Sequence, residues 1–413
     1  MVLRSLGCVA GLLAASACTY GGAPATQPAL GGAPPGVVAP AGPPRVAILL
    51  PLTGPMAGVA APMLQAAQLA MSLPGSPVLD VRDTGGDPQR AAAVAQDAIQ
   101  AGDRLILGPL TAPETATVGA VASGAQIGVL AFTSDGAVAS PGVWTLGLTP
   151  GQQVRRLVGA ARDEGRQHLA ALLPQGALGD ALQSALEQAA QEAGMETPVV
   201  QRSDPGLAGF TSALKTISNY DGRRGELASR IKALRAESDP AARQQAAELA
   251  AQPVAAVPFD ALLLGVTGPT LQQAAEVLPF YDVTAPQVRV LGPALWGRQA
   301  GQLGKLAGGW YAALDSGARQ GFVTAFEGKY GAAPSPLADF AFDGAAIAHV
   351  LAGENDFSAT ALTRAEGFTG VDGALSLLPD GHVRRALAVF QIDAGGGATI
   401  VSQAPQDVSQ PGS

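Results

Sequence analysis

Short apolar runs alternate along this chain with longer stretches of helical periodicity. Val46 to Leu50 is apolar and bounded by Arg45, Pro51 and Gly54, the pattern of a strand buried on both faces of a parallel sheet. Leu79 to Asp83, Arg104 to Gly108 and Ile127 to Phe132 repeat the pattern, with helices predicted from Pro88 to about Gln100 and from about Glu114. Strand, helix, strand, helix, strand implies right-handed crossovers and a doubly wound parallel sheet. The plan then recurs. Gln152 to Glu164 and Ala181 to Ala193 read as helices, and His168 to Pro174, Thr197 to Arg202, Asp260 to Val266 and Gln287 to Gly292 as strands. The expectation is therefore α/β, with two doubly wound lobes. Residues 45–148 and 306–352 are assigned to the first lobe, and 149–305 and 353–402 to the second. On this assignment Trp310–Ala312 returns to the first lobe and Phe368–Ile392 goes back to the second. Several chain crossings between two lobes imply a hinge and a cleft.

Ligands of such sheets bind outside the carboxyl ends of the strands. The loops there are Thr53–Gly54–Pro55, Gly108–Pro109–Leu110–Thr111 and Thr133–Ser134–Asp135. Thr53, Gly54, Leu110, Thr111, Thr133, Ser134 and Asp135 are the first-lobe cleft candidates, with Leu178 opposite them. Hydroxyls and helix N-termini suit a carboxylate or another small polar group. Helix capping by Thr133 and Ser134 is the alternative.

One stretch interrupts the plan. Residues 219–252 hold the densest charge in the chain, with Ile217, Leu227, Ile231 and Leu234 at helical spacing and Asp239–Pro240 restarting a helix. This reads as an inserted helical hairpin. It is either a solvated, charge-laced face or an arm for a partner, with Arg223, Arg224, Arg230 and Lys232 as docking candidates.

Composition narrows the function. The chain has 413 residues, a net charge of −8 and 14% charged residues, long enough for two cores and without the clustered cations that nucleic acid requires. Both cysteines lie at the amino end. Residues 1–17 have a positive start (Arg4) and a short apolar segment leading to Ala15–Ser16–Ala17–Cys18, a secretory leader rather than a membrane span. The run is similar to a bacterial lipobox, which implies lipidation of Cys18 and membrane attachment through that lipid; Thr19, not Asp, follows it and points to the outer membrane. An ordinary leader cut near Ala17 is the alternative. Residues 18–44, rich in Gly, Ala and Pro, read as a disordered tether reaching on the order of 75 Å, and 403–413 as a disordered tail. His168, His349 and His382 lack metal-ligand spacing, and no nucleophile elbow or phosphate loop occurs. No enzyme activity, metal or cofactor is expected. Asp80 and Asp83 fall on opposite strand faces, and Asp83 is expected to cap a loop or helix.

Pro51 to Gly54, Asp83 with Asp87–Pro88, Gly108–Pro109 and Thr133–Ser134 together resemble the motifs of type I periplasmic binding proteins of the leucine/isoleucine/valine-binding class. The resemblance spans roughly 45–402 and implies that fold: two lobes, a hinge and a cleft, to which the hairpin is an addition. Leu178–Gly179 stands where the family usually has Tyr–Gly, so an aromatic ligand contact is missing. The charged insertion ahead of Pro258–Phe259–Asp260–Ala261–Leu262 resembles the penicillin-binding protein activator lipoproteins. That likeness implies a peptidoglycan synthase as partner. A substrate receptor for branched-chain amino-acid transport is the alternative.

Overall fold

The computed structural model describes residues 42–408 apart from 238, 253, 316 and 407. The leader, Cys18 and residues 19–41 of the tether lie outside them.

The first lobe begins β1 (Arg45–Leu50), α1 (Ala57–Ala70), β2 (Val78–Asp83), α2 (Pro88–Gln100), β3 (Asp103–Leu107), α3 (Ala112–Ala125), β4 (Gly128–Ala131) and β5 (Val143–Thr145). Its five strands are parallel in the order β2-β1-β3-β4-β5. Alternation along β1 explains the apolar run: Val46, Ile48 and Leu50 enter a core with α1, while Ala47 and Leu49 enter a second core with α2 and α3. Gly108, at the carboxyl end of β3, has φ +81°, and a Cβ there would lie 2.3 Å from Leu49 O. Only glycine lets the strand turn out at this point.

The second lobe follows with α4 (Pro150–Asp163), β6 (Leu169–Pro174), α5 (Ala177–Glu192), β7 (Val199–Ser203), α6 (Gly206–Ile217), α7 (Glu226–Ala236), α8 (Pro240–Ala250), β8 (Ala261–Leu264), α9 (Gly268–Val277), β9 (Arg289–Gly292) and β10 (Trp310–Ala313). The chain then forms α10 (Gln320–Tyr330), α11 (Pro336–Glu354), α12 (Ala359–Leu362), β11 (Phe368–Gly370), β12 (Gly373–Leu377), β13 (Val383–Arg385), β14 (Ala388–Ile392) and β15 (Ala398–Ser402). The second sheet runs β15-β14-β10-β9-β8-β6-β7, with β14 antiparallel to β10 and β15 antiparallel to β14. The insertion is a helical pair, α7 and α8, entered through a wide turn at Asp221–Gly225.

Three expectations change. Trp310–Ala312 does not return to the first lobe, because β10 pairs in parallel with β9. Its Trp310 and Ala312 join one second-lobe core and Tyr311 the other. Residues 368–385 do not belong to the second lobe. They form a small antiparallel sheet, β11-β12-β13, whose Phe368, Leu375, Leu377 and Val383 lie in the first-lobe core with Phe340 and Ile347 of α11. The tail is also partly held, since Gln403 O accepts from Arg156 Nη2 at 3.0 Å and Val408 is buried.

The chain therefore crosses between lobes after β5, between β10 and α10, and between β13 and β14. The first and third crossings run side by side. Trp144 Nε1 donates to Leu378 O, Gln152 Nε2 to Val383 O and Arg156 Nε to Leu387 O, each at 2.7 Å. Arg385 ties them to α11, with its Nε donating to Leu146 O at 3.0 Å and its Nη1 to Asp343 Oδ2 at 2.7 Å. Asp343 is fully buried, and its second oxygen accepts Val371 N at 2.7 Å. Replacing Arg385 by Met strands that carboxylate. The expected loss is about 3–5 kcal/mol, measured by urea unfolding, and adding Asp343→Leu should recover part of it.

Candidate functional site

Because β1, β3 and β4 are adjacent, the loops leaving them share one edge of the first sheet, as the sequence predicts. The hydroxyls of these loops are mostly spent within the lobe. Thr53 Oγ1 donates to Asp83 Oδ2 at 2.7 Å and Thr53 N to Asp83 Oδ1 at 3.1 Å, while Gly85 N and Arg90 Nη2 also reach that carboxylate. Burial alone would raise Asp83, but Thr53, Gly85 and Arg90 outweigh it and hold the carboxyl below its ordinary value. Gly54, at φ +82°, lets the turn pass Gly85 O. Asp83 and Asp87 thus organise the turn and the α2 start, where Asp87 accepts from Arg90 N at 2.7 Å.

Thr111 caps α3 in a reciprocal box. Glu114 N donates to Thr111 Oγ1 at 3.4 Å, Thr111 N donates back to the buried Glu114 Oε2 at 3.3 Å, and Thr111 Oγ1 donates to the same oxygen at 2.6 Å. Leu110 is buried beside it. Thr133 is also buried and accepts from Asp135 N at 3.1 Å, while Asp135 caps a short turn through Ala137 N at 3.0 Å. Ser134 is exposed, and its hydroxyl has no protein partner among the described residues. Leu178, on the corresponding edge of the second sheet, is 43% exposed in the first turn of α5. Of the predicted cleft residues, Ser134, Asp135 and Leu178 therefore present side chains outward. Thr53, Thr111 and Thr133 mainly shape the floor.

A concavity lies at the opposite, amino edge of the second sheet. It encloses about 710 Å³ and is lined by His168, Arg224, Phe259, Asp260, Asp282 and Gln287, among others. That volume is in the range of small-molecule sites. His168, Asp260 and Gln287 precede β6, β8 and β9, and Asp260 accepts Gln167 N at 2.9 Å and His168 N at 3.0 Å. The other wall is the root of the insertion. Arg223, its side chain 5% exposed, donates to Ser218 O, Ala255 O, Tyr281 O and Asp282 at 2.6–3.1 Å. Arg224 grips Asp282 with two bonds, at 2.7 and 3.0 Å. Burial would raise Asp282, yet the two guanidiniums hold it below its ordinary value. Tyr220 packs edge-on against Tyr281 at 5.1 Å, and next to it Phe280 is 75% exposed.

This root corrects one expectation. Arg223 is not an accessible docking residue, since its guanidinium is consumed in holding the insertion to the lobe; Arg224 shares that task. Arg230 and Lys232 are exposed on α7 and form no ion pair among the described residues. Phe280 and Asp282 carried no signal in the chain, because a Phe-Tyr-Asp run after a helix is an ordinary turn until Arg223 and Arg224, 59 and 58 positions away from Asp282, fold onto it.

Catalytic arrangements are thin. Ser76 Oγ lies 2.9 Å from His349 Nδ1, but no carboxylate among the described residues orients the ring. No group of three or more His, Cys, Asp or Glu among the described residues is placed to hold a metal ion. No helix among them is long and apolar enough to cross a membrane. For the root, Asp282→Ala should leave the buried Arg223 without its counter-ion and cost about 2–4 kcal/mol, with faster hydrogen exchange across 219–260. Because the folded value of Asp282 is depressed, its contribution is present above the unfolded value near 3.8 and is lost as pH falls through the lower folded one.

Comparison with known proteins agrees with this architecture. The family model described as periplasmic binding protein matches residues 43–397. No curated protein sequence matches the chain. Among solved structures, a protein assigned to branched-chain amino acid ABC transport from Rhodospirillum rubrum is similar with a TM-score of 0.65 at 18% identity, covering 87% of this chain and 100% of that one. The C-domain of LpoA from Haemophilus influenzae, described as a regulator of PBP1A, has a TM-score of 0.59 at 17% identity, covering 86% and 99%. Full-length LpoA from the same organism gives 0.61 at 17% identity, covering 88% of this chain and 59% of LpoA. At such identities the likeness is one of fold. With the family model covering most of the chain and all three crossings, the chain belongs to the periplasmic binding protein family.

Proposed function

We propose that this protein is a non-enzymatic periplasmic adaptor that binds and stimulates a peptidoglycan synthase of the penicillin-binding class, anchored to the outer membrane through an acylated Cys18. Its family is one of binding proteins, which supports recognition rather than catalysis as its task. The observation that carries the reading is the insertion. Its root is clamped by Arg223, Arg224 and Asp282, and beyond the root α7 has no fully buried residue. Leu227, Ile231 and Leu234 are half-buried, whereas Ala242 and Ala246 of α8 are buried. Arg230, Lys232, Arg235 and Arg243 stand outward with no ion pair among the described residues. A fixed base with a bare, charged outer face suits a docking arm. The LpoA regulators share the fold, so the scaffold is compatible with a synthase as the class of partner.

A substrate receptor is the second reading. The exposed Ser134 hydroxyl and Asp135 carboxylate on one lobe, and the exposed Leu178 on the other, offer polar and apolar contacts to a leucine-like molecule.

The test pairs two measurements on purified protein. Replacing residues 226–250 by a short Gly/Ser linker should abolish binding to purified penicillin-binding synthases, and Arg230→Glu with Lys232→Glu should weaken it at least tenfold at low salt. Calorimetry with leucine, isoleucine and valine should be silent. Undiminished synthase binding by the linker variant would overturn the docking arm. Micromolar binding of an amino acid, lost in Ser134→Ala, would favour the receptor instead.

A further inference from the structure

Five charged side chains meet where the chain passes between the lobes. Asp339 and Asp343 lie on α11, Asp372 lies in the turn between β11 and β12, Arg319 immediately precedes α10, and Arg385 ends β13. Each crossing touches this cluster. Arg385 sits at the third and donates to Leu146 O at the first. Arg319 closes the second by donating to Asp339 at 2.5 and 2.8 Å, and to Pro334 O and Ser335 O at 2.9 and 3.2 Å. Asp343 pairs with Arg385. Asp372 is left over: it is 3% exposed, and neither of its oxygens has a hydrogen-bond partner among the described residues. Three carboxyl groups thus share two guanidiniums in the buried hinge.

We propose that Asp372 makes the hinge proton-sensitive. Protonated, it leaves two matched ion pairs and a neutral cluster that holds the crossings together; ionised, it places an uncompensated negative charge among them and loosens the lobes.

The charged groups acting on Asp372 are Asp339 and Asp343 from α11, Arg385 from β13 and Arg319 from the second crossing. Burial pushes Asp372 up to about 7, with Asp339 and Asp343 adding to it against the pull of Arg385 and Arg319. Burial likewise pushes Asp339 up to about 6 against Arg319. Both folded values exceed the ordinary 3.8, so the closed hinge binds more protons than a loosened one, where these carboxyls regain water. Closure is therefore favoured as pH falls through about 7 and is weakened as pH rises through the same range.

Hydrogen exchange of the full chain at about pH 8.5 and about pH 6, corrected for intrinsic rates, tests this. Peptides covering 146–149, 314–320 and 385–388 should exchange at least about tenfold more slowly at the lower pH, the factor carried by one unit of differential protonation. The strand amides of β1 and β4 should change less. Asp372→Asn, close to isosteric and permanently neutral, should retain the slow exchange at about pH 8.5. Equal change across all peptides would indicate global stability rather than a hinge effect and would overturn the proposal. So would a flat pH response, or an Asp372→Asn variant, shown folded by its thermal transition, with wild-type pH dependence.

Discussion

The buried pair Arg385–Asp343 is the constraint on which the architecture depends. A chain that divides its strands between two sheets must cross between them, and each crossing exposes backbone groups that belong to neither sheet. Here Arg385 satisfies Leu146 O at the first crossing while standing at the third, and Asp343 answers both its charge and the Val371 amide. Burying two opposite charges is costly unless their hydrogen bonds are nearly complete. Most are complete here, so the pair fixes geometry more than it adds stability. Arg319 and Asp339 repeat the arrangement at the remaining crossing.

The same economy shapes the two recognition surfaces. In the first lobe, the hydroxyls of the cleft loops are turned inward: Thr53 to Asp83, Thr111 to Glu114, and Thr133 to the Asp135 amide. The cleft edge keeps a serine, a carboxylate and a leucine outward. On the far side of the second lobe, two guanidiniums converge on Asp282, and an aromatic ring stands almost bare beside the concavity. Fold alone does not select between ligand capture and partner docking, because both functions use this scaffold. The distribution of unspent side chains favours the insertion.

How much of this was legible depends on the range of the deciding interaction. Apolar runs such as Val46–Leu50, buried on both faces, declared themselves, whereas Thr111, a cleft candidate in the sequence, turned out to cap α3. The loops at the first-lobe edge were correctly grouped because crossover handedness follows from strand and helix alternation. The sheet to which a short run belongs was not legible. Trp310–Ala313 and Phe368–Leu377 are apolar enough to enter either core, and their partners are chosen by pairing across the fold.

The amino-acid sequence by itself determined that this is a two-lobed α/β protein with a charged helical insertion, because periodicity, capping and glycine turns are local properties. Tertiary structure decided where the chain crosses, which hydroxyls remain free and which arginines are spent. Asp103, raised to about 7 by burial and by Asp80 beside it, shows the reason. A carboxylate's role follows from the water it loses and the charges it meets, and both are set by residues remote in sequence. Asp372 and Asp282 are ordinary turn residues until segments remote in sequence fold against them.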